Sequence, residues 1–143
     1  MLIKLELQAN PMSFSSGKNN QIGLKLDTTY NNGSAETEFL LDESYSGWRG
    51  MVHGGILSTI LDDTMAWAVI SLEVTPVTVK MDLRYKNPVL TNRKYFAQAK
   101  VTNIKKTVYE LEASITDESG KVCVQATAVF MKASMMKIQQ PSV

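Results

Sequence analysis

The stretch GWRGMVHGGILSTILDDTMAWAVI, residues 47–70, decides the fold. It sets a glycine pair, Gly54-Gly55, at the mouth of a helix and a carboxylate, Asp62, two turns inside it. A helix start offers free backbone N–H groups and a partial positive charge. A carboxylate within a mostly apolar helix is costly unless it has a task or a partner. Together these features point to a site that polarises a carbonyl and then attacks it or delivers water to it. The helix is expected from about Gly54 to about Leu72, and its residues are apolar on most sides, which marks a buried helix.

Outward from this helix the period is two. Ile22 to Thr29 and Ser34 to Leu41 read as strands joined by Tyr30-Asn-Asn-Gly33, where Asn-Gly is a turn signal. After the helix, Val77, Val79, Met81, Leu83 and Tyr85 alternate with Thr78, Lys80, Asp82 and Arg84, the pattern of a half-buried strand. Tyr95 to Val101, Tyr109 to Ile115 and Val122 to Met131 supply three more strands, with a turn at Asp117-Glu-Ser-Gly120. Ser13 to Asn20 and Asp42 to Gly50 read as loops, and 133–143, without a period, as a flexible tail.

The order is two strands, one long helix, then four strands. Short connections among the late strands predict an antiparallel meander. One helix can cover only one face of it. The expected architecture is therefore α+β, a curved antiparallel sheet of about six strands wrapped around one long central helix. Such a sheet has a second face and two edges to protect, which favours dimerisation. Residues 1–143 are expected to form one domain with a core of about 12–132.

Composition narrows the function. Fifteen Lys and Arg against fourteen Asp and Glu give a net charge of +1 over 143 residues, no footprint for nucleic acid or an anionic membrane. Lys105-Lys106 reads as a solvated turn. Cys123 is the only cysteine, so neither an intrachain disulfide nor a cysteine zinc site can form, and its alternating neighbours make it a small buried hydrophobe. One histidine excludes a histidine-rich metal site. The segment MLIKLELQANPMSF lacks the features of a signal peptide, and Asp62 and Asp63 interrupt the one long apolar run. The expectation is a cytoplasmic protein with no membrane partner, no metal and no bound cofactor.

Gly47-Trp-Arg-Gly50, His53-Gly-Gly55, Asp62 nine positions after the histidine, the strand 77–85 ahead of Asn87-Pro88-Val89, and NNQIGLKL at 19–26 form one pattern. Over roughly residues 12–132 the chain resembles the hotdog-fold acyl-CoA thioesterases, on their phenylacetate-pathway-like branch. The resemblance implies a side-by-side homodimer with a continuous sheet, often paired into a homotetramer. It also implies an active site at the dimer interface, where the helix start of one subunit faces the helix carboxylate of the other.

Read as chemistry, the Gly55 backbone N–H polarises the thioester carbonyl with help from the helix dipole. Glycine at 55 also lets the ligand approach the backbone closely, and Gly54 joins it in binding substrate, though a glycine pair also serves a plain tight turn. Asp62 is the nucleophile or the general base that activates water. Seven residues separate Gly55 from Asp62, roughly 10 Å along one helix, so one chain cannot bring both to one carbon, whereas a two-fold partner can. Asp63, about 100° around the helix, is the rival carboxylate; the family spacing selects Asp62, leaving Asp63 solvated or paired. His53 is a candidate general base; the resemblance implies instead that it shapes the turn and hydrogen-bonds near the thioester. Thr78 either orients the water or nucleophile, as in relatives, or simply faces solvent. Gly47 stands where several relatives carry an Asn or Gln that holds the thioester or the water. By the same resemblance Tyr85, Lys86, Asn87 and Asn103 line the coenzyme A groove, with Lys86, Lys105 or Lys106 meeting its phosphates. Hydrolysis of an acyl-CoA to free acid and coenzyme A is the leading expectation. A hydratase or dehydratase on the same fold, and a non-catalytic acyl-CoA binding protein, are the alternatives.

Overall fold

The computed structural model describes residues 2–4, 9–135 and 137–139. The elements run β1 (Leu2–Lys4), β2 (Thr28–Asn31), β3 (Ser34–Leu40), a 3-10 turn (Glu43–Tyr45), α1 (Gly54–Ile70), β4 (Pro76–Tyr85), β5 (Lys94–Lys105), β6 (Val108–Asp117), β7 (Val122–Lys132), a second 3-10 turn (Ala133–Met135) and β8 (Lys137–Gln139).

The β2–β3 hairpin closes through Asn32 and Gly33, both at positive φ, as a two-residue primed turn requires. The strand expected from Ile22 begins only at Thr28. Upstream, the N–H groups of Leu24 and Leu26 bond to the carbonyls of Phe14 and Ser15, and Lys25 takes a positive φ. Leu24 and Leu26 are buried all the same, which explains the strand-like alternation. Their backbone serves a strap across the molecule and not a sheet.

The main sheet has six strands in the order β2-β3-β5-β6-β7-β4, every neighbouring pair antiparallel. The expected meander of four late strands holds only for β5, β6 and β7. β4 pairs with β7 and lies at the far edge, while β5 pairs with β3. The inward residues of β4, Met81 and Leu83, pack against the core, so the helix-covered face stays continuous on this edge. On that face Ala97, Ala99, Ala113, Ala126 and Ala128 form a floor of small side chains that lets α1 settle close. The helix presses Leu57, Ile60, Leu61, Met65, Ala68 and Val69 onto it, all at most 3% exposed, and Phe130, Ile115 and Val124 complete the core. This is the hotdog arrangement of sheet around helix. The opposite face carries polar rows such as Glu36, Gln98, Ser114, Gln125 and Arg84.

α1 ends two residues before the expected Leu72. The Ser71 hydroxyl donates to Ala68 O and accepts from Gly33 N–H, tying the helix end to the β2–β3 turn. Within the segment expected as a loose tail, Lys137–Gln139 pairs antiparallel with Leu2–Lys4. Backbone pairing over three residues needs no side-chain period, so the sequence carried no sign of it. Residues 140–143 lie outside the described ones.

β4 contains one irregularity that matters for the site. Thr78 stands opposite Phe130 and Lys80 opposite Val129, which leaves Val79 as an extra residue. Strict alternation would place Thr78 on the outer face with Lys80, Asp82 and Arg84. The bulge shifts the phase by one residue, so Thr78 shares the helix face with buried Phe130, and Val79 is left 53% exposed.

Candidate active site

The loop before the helix is fixed by its own backbone. Gly47 N–H bonds Met51 O, Val52 N–H bonds Val89 O and His53 N–H bonds Tyr45 O. His53 is thereby delivered to the N-cap of α1, where its Nδ1 accepts from Gly55 N–H at 2.8 Å. The His53 carbonyl accepts from the N–H groups of Ile56 and Leu57. Two glycines are a poor start for a helix. Side chains compensate: Ser58 and Thr59 hydroxyls donate to Gly55 O at 2.7 and 3.0 Å, and the Tyr85 hydroxyl donates to Gly54 O at 3.0 Å.

The Gly55 N–H, expected to polarise a carbonyl, is therefore already occupied by the His53 ring. The free donor is its neighbour: no hydrogen bond leaves the Gly54 N–H among the described residues. Gly54 lines a cleft of about 490 Å³ with Gly47, Trp48, His53, Tyr85, Lys86 and Asn87, floored by Met51, Val52, Leu57, Pro88 and Val89. Five of the other expected site residues thus meet around Gly54. Asn87 is engaged there, its side-chain amide donating to Val122 O. A side chain at Gly47 would press on the His53 backbone, with a Cβ only 3.3 Å from its Cα, so the missing loop amide leaves room for the histidine. Trp48, 81% exposed at the cleft, was singled out by no periodicity because it sits in a loop.

Asp62 and Thr78 form the second cluster. The Thr78 hydroxyl donates to Asp62 Oδ1 at 2.5 Å, on the side of α1 that the sheet leaves half-exposed. Asp63 points elsewhere, beneath the N-terminal strap, where the Ser15 hydroxyl donates to its Oδ1 at 2.6 Å. Burial pushes the Asp63 carboxyl above its usual range and the neighbouring Asp62 charge adds to the effect. The Ser15 hydrogen bond opposes both, and the Trp67 indole favours the charged form weakly without hydrogen-bond geometry to the buried Oδ2. Asp63 is thus paired, as one of its two expected fates, and the Ser15 partner 48 residues away was invisible to spacing.

Asn103 belongs to neither cluster. It lies at the far end of β5 and its side-chain amide donates to the Glu110 carboxylate at 3.0 Å, beside the exposed Lys105 and Lys106. Cys123 is buried and unpaired. Among the described residues no group of three or more metal-ligating side chains forms, and no helix is long and apolar enough to cross a membrane.

Comparison with known proteins adds the family. The family model described as the thioesterase superfamily matches residues 49–124. An uncharacterised protein of Schizosaccharomyces pombe is 28% identical over 65% of this chain and 57% of its own length. An uncharacterised mitochondrial membrane protein of Saccharomyces cerevisiae is 32% identical over 71% of this chain and 44% of its own. The chain thus spans about half the length of the curated relatives it matches. Among solved structures, a hypothetical thioesterase of Streptococcus pneumoniae with coenzyme A aligns with a TM-score of 0.71 at 20% identity, covering 74% of this chain and 86% of that one. The PaaI protein of the E. coli phenylacetic acid degradation operon aligns at 0.72 and 18%, covering 76% and 83%. At these identities the likeness is one of fold.

Proposed function

The chain belongs to the thioesterase superfamily, and from that premise and the site geometry we propose that it hydrolyses an acyl-CoA to the free acid and coenzyme A. In this reading the Gly54 N–H, at the positive end of α1, polarises the thioester carbonyl. Asp62, oriented by Thr78, attacks the carbonyl carbon or removes a proton from the attacking water.

One observation carries the reading: the two ends of β4 are bonded to the two halves of the site. Near its start Thr78 holds Asp62, and at its end Tyr85 holds Gly54. Gly54 and Asp62 are eight residues apart on one helix, about 12 Å along its axis, too far to share one carbonyl. β4 is an edge strand whose outer side pairs with no other strand among the described residues. Pairing it antiparallel with a second copy would bring Gly54 of one chain toward the partner's Asp62. The homodimer, and any tetramer built from it, is part of this proposal. The coenzyme A-bound structure of the S. pneumoniae thioesterase supports the choice of thioester.

The test is thiol release from a panel of acyl-CoAs by the wild type and Asp62→Asn. Turnover of at least one member, reduced by orders of magnitude in the variant, is the expected result. Unchanged rates in Asp62→Asn would sink the mechanism. Tight acyl-CoA binding without thiol release would favour a binding protein, and hydration of an enoyl-CoA would favour a lyase.

A further inference from the structure

The Gly54–Gly55 peptide is held at both ends. Its C=O accepts the Tyr85 hydroxyl at 3.0 Å, and its N–H donates to His53 Nδ1 at 2.8 Å. The next peptide toward the N-terminus, His53–Gly54, carries an N–H with no partner among the described residues, and Gly54 lines the cleft. A glycine pair has the widest backbone freedom of any dipeptide. Without restraint, rotation of the Gly54–Gly55 peptide would swing the adjacent N–H away from its aim. Tyr85 is well placed to prevent this. It closes β4, its ring lies alongside Gly54 with a Cβ built there 3.6 Å from Cε1, and it is still 54% exposed. A tyrosine that packs so little hydrophobic surface contributes mainly through its hydroxyl and the position of its ring.

We propose that Tyr85 is a positioning residue that acts through the Gly54 carbonyl to hold the Gly54 N–H in line for the substrate carbonyl. It completes, with His53, a two-ended clamp on the glycine pair. The proposal rests on the reading of Gly54 as the polarising donor. It assigns Tyr85 a part in transition-state stabilisation and not in gripping coenzyme A, the part that its place beside Lys86 and Asn87 would suggest. An interaction that aims a donor at developing negative charge strengthens in the transition state, so its loss falls on kcat and not on KM.

The experiment is Tyr85→Phe, which removes only the hydroxyl, measured in three ways. Steady-state thiol release should show kcat lowered about five- to tenfold, the scale of one hydrogen bond, with KM within twofold. A dethia acyl-CoA ketone, in which methylene replaces the thioester sulphur, should show a smaller downshift of its 13C-labelled carbonyl stretch in the variant than in the wild type. The 15N relaxation of the Gly54 and Gly55 amides in the free protein should report greater mobility. A raised KM with unchanged kcat would overturn the clamp in favour of a coenzyme A contact. Unchanged carbonyl stretch and unchanged amide order would overturn it as well. If the wild type hydrolysed no acyl-CoA the thioesterase reading itself would fall, and unaltered glycine mobility in Tyr85→Phe would then refute the clamp on its own.

Discussion

The Thr78 hydroxyl donates a 2.5 Å hydrogen bond to Asp62 Oδ1, joining an edge strand to the middle of the helix that the sheet encloses. A charge-assisted bond of this kind fixes one carboxylate oxygen and leaves the other to work. Asp62→Asn should lower thiol release by about 10²- to 10⁴-fold, the range of a lost general base. Thr78→Ala should lower it by about 10- to 100-fold, the scale of a hydrogen bond to a charged group. Because the two act as one unit, the double variant should be no slower than Asp62→Asn alone, which a double-mutant cycle of kcat/KM values will read.

With Val79 in the chain, Thr78 reaches Asp62 only because Val79 is bulged out of the β4 ladder. Deleting Val79 should leave a regular strand in which Thr78 still stands opposite Phe130 and Lys80 opposite Val129, so the hydroxyl keeps the helix face. Thiol release should be largely retained, well above that of Thr78→Ala. Activity as low as that of Thr78→Ala, with the far-UV circular dichroism of the sheet retained, would argue against the face of the strand as what presents Thr78.

Gly54 separates stability from function. Its φ is not in the positive region, and a Cβ there would meet Tyr85 at ordinary contact distance. Gly54→Ala should therefore fold and gain roughly 0.5–1 kcal/mol from the better helix former. The added methyl group stands where a substrate carbonyl must approach, so kcat/KM should drop about tenfold, one step of 1.4 kcal/mol in the barrier. Thermal unfolding and thiol release measured on one sample will show whether the two move in opposite directions.

A site divided between chains should be restored by mixing. Co-expressed Asp62→Asn and Gly54→Val chains form heterodimers in which one of the two sites keeps both an intact Gly54 and an intact Asp62. Random pairing makes half the dimers heterodimers, so roughly a quarter of wild-type activity should return. Mixtures no more active than the separate variants would count against a shared site.

Asp63 sets a pH dependence of stability. Its carboxyl is raised above the ordinary 3.8, first by burial and then by the Asp62 charge, against the pull of the Ser15 bond. The folded state therefore holds the proton more tightly than the unfolded chain. The stability this contributes is fully present below the unfolded value and is lost as pH rises through the folded one. Asp63→Asn keeps an oxygen for Ser15 but carries no charge. It should be more stable than the wild type at neutral pH, with the advantage shrinking as pH falls toward 3.8. Melting temperatures of both proteins across that window will show it.

Much of the fold was legible in the chain because its signals are local. The apolar run of α1, the two-residue period of β5, β6 and β7 and the Asn32-Gly33 turn each reflect burial or backbone geometry within a few residues. The spacing of His53-Gly54-Gly55 and Asp62 was legible for the same reason, since both lie on one helix. By itself the sequence determined that there would be one helix, a sheet to cover it, a glycine-rich helix start and an intrahelical carboxylate. Tertiary structure alone decided that β4 lies beyond β7, that a bulge turns Thr78 to Asp62, that Ser15 takes Asp63, and that Gly54 and not Gly55 keeps its N–H free. Each of these depends on a partner distant in the chain or on a side-chain orientation, and such pairings are set by packing, where residue spacing carries no information.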